Sequence, residues 1–474
     1  MKNFLLLLVN IMILLSGLDV DAQKISVTFD VKNYTNDTLI IGNYYGDKNL
    51  VKDTLFSMGS GKFLWKQDTI PAPGVYLALL KPDNSYVQFL VNDKGEHFSM
   101  SFDAKDLVDV NVQGSEENQA FYGYLGFLKD KRVIADTMRA RTERAKANNK
   151  TDEEAQNILG GLDKEVKKYQ ADIVSRFKGT IISLLIKSNI DIELPEFTGN
   201  EDSIRYKRYF YYKDHYFDNV DATHLGLIRT PFIHQKIDYY ITKLSNQQPD
   251  SLNKSIDVVL KWLSPNPDAY RFYLADFLNT YAQMKMVGHD AIYVHMVDTY
   301  YSKGKATWVT QENIDKMKEN ADELRPILIG KKIPDITTYK EDNTPVRLYD
   351  IKSPYTVVIF WAPDCGHCKK IMPDVVSFYK NNKAKGVKML AICTKGGENT
   401  KTCWPAIQEK SMEDFINTAD EYARYNMKIR HVKTPKIFIL DENKEIIVKD
   451  ISGEELDRIF NEILSFEEKR KTEK

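Results

Sequence analysis

Cysteine is scarce: four residues in a chain of 474, at positions 365, 368, 393 and 403, all in the last quarter. So few exclude a small scaffold built on disulfides, and folding must rest on apolar cores. Charge of one sign is also lacking. With 66 Lys+Arg against 67 Asp+Glu the formal net charge is −1, so nothing draws the chain as a whole to nucleic acid or to an acidic lipid surface. The apolar run at the start, Phe4 to Leu15, is shorter than the roughly 18 to 20 residues that span a bilayer, which disfavours a retained transmembrane anchor. No cysteine lies near position 22 to accept lipid.

What is present at the start is a basic Met1-Lys2-Asn3, the short apolar run and the small residues of Val20-Asp21-Ala22. This pattern reads as a secretory signal over residues 1–22. The mature chain is then expected to begin near Gln23, soluble and unlipidated in a bacterial periplasm; a eukaryotic secretory route gives the same signal.

A length of 474 residues suits two to four domains. Residues 23–114 read as an all-β, sandwich-like domain. Ile25, Val27, Phe29 and Val31 alternate with polar residues, and strand-like runs recur at 38–41, 62–65, 75–80 and 87–91, with turns at Gly59-Ser60-Gly61 and Asn92 to Gly95. Residues 115–325 change to helical periodicity and are expected to form an all-α domain. A helical hairpin is predicted from Glu117 to Ala147 and Asp152 to Phe177, its second arm opened by a capping box of Thr151 and Glu154 and interrupted at Gly160-Gly161. Further helices are predicted at 230–244, 252–263, 267–286 and 290–301. The stretch Arg205 to Asp218 interleaves bases with aromatics, which on an intracellular chain suggests single-strand stacking. Behind a signal it reads instead as core and interdomain packing or a partner surface, with no nucleic acid as partner. His215, His224, His234, His289 and His295 read as structural, since His289, Asp290 and His295 do not share one helical face.

The chemistry is concentrated at Trp361-Ala362-Pro363-Asp364-Cys365-Gly366-His367-Cys368-Lys369. The β-branched and aromatic run Tyr355 to Trp361 reads as a buried strand, and apolar residues at 371, 372, 375, 376 and 378 recur at helical spacing. Cys365 is therefore expected at a helix N-terminus, where unpaired N–H groups favour a thiolate and lower its pKa. Cys365 becomes the attacking thiol and Cys368 the resolving one. His367, when protonated, adds to the stabilisation, and stabilising the thiolate makes the disulfide more oxidising. The alternative, half of a zinc site, lacks a second ligand pair at suitable spacing, so neither metal nor bound cofactor is expected.

These residues, with Pro373 expected to kink the helix and Lys433-Thr434-Pro435 before the strand Lys436 to Leu440, resemble the thioredoxin fold. Gly330 to Asp335 and Val346 to Ile351 are similar to its TlpA-like branch of periplasmic disulfide oxidoreductases, over about residues 326–470 and hence a C-terminal α/β domain at 326–474. The resemblance implies Cys365 as nucleophile, Cys368 as resolving thiol, and Thr434-Pro435 as a cis-proline segment that holds an extended client chain. Trp361, Gly366 and His367 are implied as residues that tune the pair. Thioredoxin's buried Asp, two residues before the Trp, is replaced by Ile359, so the proton relay needs another group or water. Gly-His between the cysteines resembles protein disulfide isomerase, near about −180 mV, whereas TlpA-like relatives are usually reductants, so direction stays undecided. The order of β, helical and TlpA-like domains also resembles Bacteroidetes envelope proteins, with Arg229-Thr-Pro-Phe232 and Tyr293 to Asp298 contributing to the likeness.

Cys393 ends the predicted strand 387–392 and, in a parallel unit, lies on the same sheet edge as Cys365. Cys393 and Cys403 leave three readings: a loop-closing disulfide, two unpaired thiols, or a second redox relay. The expected function is periplasmic thiol-disulfide exchange with protein clients. Electrons pass to or from a further redox partner, a membrane donor among the candidates. The alternatives are an envelope binding or assembly protein that uses this domain for docking, and a peroxiredoxin-like peroxidase; the latter wants Thr where Ala362 stands.

Overall fold

Alternating apolar and polar residues put one face of each N-terminal strand inside. The computed structural model describes residues 24–284, 286–430 and 432–472, so the predicted signal at 1–22 lies outside the described residues. Eight strands come first: β1 (Ile25–Lys32), β2 (Thr38–Tyr45), β3 (Lys48–Phe56), β4 (Lys62–Gln67), β5 (Gly74–Leu80), β6 (Ser85–Val91), β7 (His97–Asp103) and β8 (Asp106–Gln113). They form two four-stranded sheets, ordered β4-β1-β7-β8 and β3-β2-β5-β6. Val27, Phe29, Phe63 and Trp65 from the first sheet and Ile41, Tyr76 and Phe89 from the second share one core. The sandwich-like all-β reading is thus the observed fold. β3 and β8 escaped the sequence pattern because both are edge strands with largely exposed residues. β7 alternates Phe98, Met100 and Phe102 inward and was legible in principle.

The helical region follows as α1 (Glu116–Ala147), α2 (Glu153–Arg176), α3 (Ile181–Ser188), α4 (Glu201–Asp214), α5 (Ile233–Thr242), α6 (Pro249–Leu263), α7 (Pro267–Gln283), α8 (Asp290–Met296) and α9 (Gln311–Leu324). Ser115 caps α1 by accepting from the Asn118 N–H, a contact of the kind worth about 1 kcal/mol. Two expectations for α2 are corrected. Asp152, not Thr151, is the cap, accepting from the Ala155 N–H, while Glu154 pairs outward with Arg141 at 2.7 Å. Gly160-Gly161 does not interrupt the helix, whose other residues carry it through. The predicted helix at 290–301 is α8 continued by a π turn, Val297–Tyr301. The basic-aromatic stretch is corrected in part: α4 buries none of its residues and leaves Tyr206 64% exposed, and only Tyr216 and Phe217 beyond it enter the core.

In the C-terminal region the order is β9 (Thr337–Tyr339), β10 (Pro345–Arg347), β11 (Tyr355–Trp361), α10 (Gly366–Asn382), β12 (Val387–Cys393), α11 (Cys403–Glu409), β13 (Ile416–Ala419), β14 (Lys436–Leu440), β15 (Ile446–Lys449) and α12 (Leu456–Thr472). The seven strands form one sheet, β10-β9-β13-β12-β11-β14-β15. β11, β12 and β13 run parallel, and β14 pairs antiparallel with β11. β11 is buried along its whole length, which explains its unbroken apolar sequence. This is the expected α/β thioredoxin fold.

By packing, the chain divides into two compact units. One comprises the described residues up to Asn246 with Ser255–Tyr273; the other comprises Gln247–Lys254 with the described residues from Leu274 onward. The helical stretch therefore contributes to both. Within the second unit, Lys449 of β15 has a 1% exposed side chain, and its ammonium is paired with Asp290 at the start of α8. A lone buried cation is far costlier than a paired one. Asp290→Ala should destabilise this unit by about 3 kcal/mol, read as faster amide exchange in β14 and β15, and adding Lys449→Met should restore most of the loss. Unchanged exchange in Asp290→Ala would contradict that weight.

Candidate active site

The chain leaves the sheet at Trp361 and turns through Ala362-Pro363-Asp364, with the Cys365 N–H donating to the Ala362 carbonyl at 3.3 Å. Cys365 is the extended N-cap of α10, at φ −79° and ψ 112°. Its sulfur accepts from the Cys368 backbone N–H at 3.2 Å, and its thiol lies 3.5 Å from the Thr434 carbonyl oxygen. Both cysteines are free thiols, Cys365 partly exposed and Cys368 buried. The Thr434–Pro435 peptide is cis, and its carbonyl side faces the pair. Gly366 and His367 form the exposed first turn of α10, which runs on through Pro373.

The two sulfurs differ electrostatically. Burial works against ionising Cys365, but the Cys368 thiol and backbone N–H, the Thr434 side chain and the His367 backbone N–H outweigh it, so its pKa falls below the ordinary value. Burial pushes Cys368 up to about 12, aided by its hydrogen bond to Cys365 and by the Cys365 charge. His367 thus acts on Cys365 through its backbone N–H, with its ring exposed.

Ile359 is fully buried, and the two nearby candidates for its missing carboxylate point elsewhere. Asp364 is exposed and paired with Lys395 at 2.6 Å, and Lys369 is exposed. The Thr434 side chain favours the ionised form of both sulfurs. Trp361 is 1% exposed, and its indole N–H has no partner.

Of the three readings for the remaining cysteines, the structure adopts the disulfide: Cys393 and Cys403 are joined, their Cα atoms 6.2 Å apart and both residues buried. Cys393 pairs with Trp361 across the parallel ladder, so the closed loop starts beside the motif. Thr394 donates to the Trp361 carbonyl at 2.9 Å. Lys395, which sequence reasoning missed, follows from that register, since the residues after β12 must flank those after β11. Among the described residues no group of His, Cys, Asp and Glu side chains suits a metal ion, and no helix is long and apolar enough to cross a membrane.

A thioredoxin-fold domain presenting two unpaired cysteines at a helix start defines the class. Residues 329–449 match the AhpC/TSA family, and residues 163–324 match a domain of unknown function, DUF5106. The C-terminal domain is thus similar to the AhpC/TSA family, and the relatives it matches include thiol-disulfide oxidoreductases. The thiol-disulfide oxidoreductase ResA of Bacillus thuringiensis is 24% identical over 136 residues, 29% of this chain and 76% of the relative. A domain of a possible thiol-disulfide isomerase from Cytophaga hutchinsonii is 30% identical, covering 31% of this chain and 98% of that one, at a TM-score of 0.28. A thioredoxin-like protein from Bacteroides caccae is 15% identical, covering 57% of this chain and 96% of that one, at a TM-score of 0.44.

The unequal sulfurs give a direct test. Alkylation of the reduced chain across pH 5 to 10, followed by peptide mass, should label Cys365 with a midpoint below the free value of roughly 8.5 and leave Cys368 unlabelled. Cys368→Ala should move the Cys365 midpoint upward, because a donor to its thiolate is lost. Equal labelling of both cysteines would contradict the assignment.

Proposed function

We propose that this chain is a periplasmic thiol-disulfide oxidoreductase that exchanges disulfides with protein clients through Cys365 and Cys368. The observation that carries the reading is the pairing of a partly exposed, pKa-lowered thiol at a helix N-cap with a buried partner raised to about 12. In the reducing direction the Cys365 thiolate attacks one sulfur of a client disulfide and expels the other as a thiolate. Cys368 then gives up its proton, attacks Cys365 and releases the client's second sulfur. The client gains two electrons and two protons, and the chain ends as the Cys365–Cys368 disulfide. The oxidising direction is the reverse.

Thr434-Pro435 is the segment we assign to holding the client, because the Thr434 carbonyl lies next to the attacking sulfur. Thr434 or water takes the place of the missing carboxylate in moving the Cys368 proton. Gly366, His367 and Trp361 tune the pair, and the Cys393–Cys403 disulfide is structural. The periplasmic location rests on the signal expected at residues 1–22. In this reading 23–114 and 115–325 are partner-recognition domains carried ahead of the exchange domain at 326–474. A further redox partner, soluble or in the membrane, resets the pair.

The AhpC/TSA match also raises a peroxidase reading. Ala362 stands where that chemistry wants Thr, and Cys368 supplies a resolving thiol three residues on, so exchange is the stronger reading. Cys365→Ser should abolish reduction of a model protein disulfide, and Cys368→Ser should accumulate mixed disulfides at Cys365. Full activity in Cys365→Ser, or fast thiol-dependent peroxide turnover by the wild type, would sink the proposal.

A further inference from the structure

The chain is almost neutral overall, but the groups flanking the exchange pair are not. The residue before the cis segment is Lys433, exposed and one position from the Thr434 carbonyl that sits 3.5 Å from the Cys365 sulfur. On the other side of Cys365 the first turns of α10 present His367, Lys369 and Lys370, all exposed. Among the described residues none of these three lysines is ion-paired. The motif's own carboxylate, Asp364, is already neutralised by Lys395, which the loop after β12 brings to 2.6 Å. That loop is anchored at both ends, by the Cys393–Cys403 disulfide and by the Thr394 N–H bonded to the Trp361 carbonyl. It also carries one exposed carboxylate, Glu398, and one exposed ammonium, Lys401. Farther out, Arg424 is spent on the buried Asp420. Of the other exposed carboxylates, Glu421 follows β13, two strands from β11, Asp450 after β15 is paired with Lys436 at 2.9 Å, and Glu454 precedes α12.

A client segment lying between Thr434 and the start of α10 therefore has exposed lysines on both sides, and the motif's own carboxylate, Asp364, is masked by Lys395. We infer that the exchange site selects client segments with acidic residues beside the reacting cysteine, with Lys433 as the main specificity-determining residue and Lys395 as a positioning residue that masks Asp364. This rests on the exchange reading above and names its substrate class. Complementary charge across an encounter raises the association rate and suppresses wrong partners, and the effect fades as salt shortens the screening length.

The test uses the full chain, reduced, and two cyclic peptides of equal length, each closed by one disulfide, with Glu or Lys flanking one cysteine. Rates are normalised to reduction of the same peptides by neutral dithiothreitol, which removes their intrinsic reactivities. At low ionic strength the Glu peptide should react about tenfold faster than the Lys peptide, and the ratio should fall toward one at roughly 0.5 M salt. Lys433→Glu should collapse or invert the low-salt preference. Lys395→Met, which unmasks Asp364, should lower it and also raise the pH midpoint of Cys365 alkylation. Equal normalised rates at low salt, or a Lys preference, would overturn the inference while leaving thiol exchange intact. Failure of both peptides to react would remove the exchange reading and the inference together.

Discussion

Everything chemical in this chain depends on one local constraint: two cysteines three residues apart at the start of a helix cannot have the same surroundings. The capping position leaves Cys365 outside the helix, facing N–H donors with no other partner, while Cys368 points into the apolar layer under the sheet. Hydrogen bonds to the first sulfur stabilise its anion, and burial of the second penalises its anion. The first is the better nucleophile and leaving group; the second attacks only after its proton has somewhere to go. The fold serves this asymmetry. β11 is clamped between β12 and β14, so the strand end that launches the motif and the strand start that carries Thr434-Pro435 meet at one edge of the sheet.

That edge was legible in the sequence because its signals are local and strong. A continuous β-branched run can only be a buried strand here, and the helical spacing that follows the cysteines fixes Cys365 as a cap. Trp361, Gly366, His367, Thr434 and Pro435 follow once the resemblance is accepted. The Lys395–Asp364 pair was not legible as a contact, because it joins residues 31 positions apart through the register of two parallel strands. The fate of Cys393 and Cys403 was equally a matter of tertiary distance. In the upstream regions fold type came through, since periodicity reports which face is buried. Edge strands β3 and β8 and the solvent-facing α4 did not, because they bury too little to impose a period. The α2 cap was misplaced by one residue, with Asp152 winning over Thr151 as the acceptor beside the first free N–H groups.

Among the described residues the upstream regions hold no comparable cluster of reactive groups, yet they occupy most of the chain. They comprise a sandwich with its own core, a long helical hairpin, and helices divided between two compact units. In the second unit the buried Lys449–Asp290 pair ties α8 to β15, so helical residues from 274 onward are part of the body that carries the exchange pair. A domain that only borrowed a thioredoxin fold for docking would have no use for a capped thiol opposed to a buried one.

The most direct measurement is the midpoint potential of the Cys365–Cys368 pair in graded glutathione buffers, followed by quenched alkylation and peptide mass so that Cys393 and Cys403 are scored separately. The account predicts a single two-electron transition between about −270 and −120 mV, the span of thioredoxin-fold proteins that exchange disulfides. A pair that stays dithiol throughout, or one whose midpoint falls below about −300 mV as for structural disulfides, would contradict it.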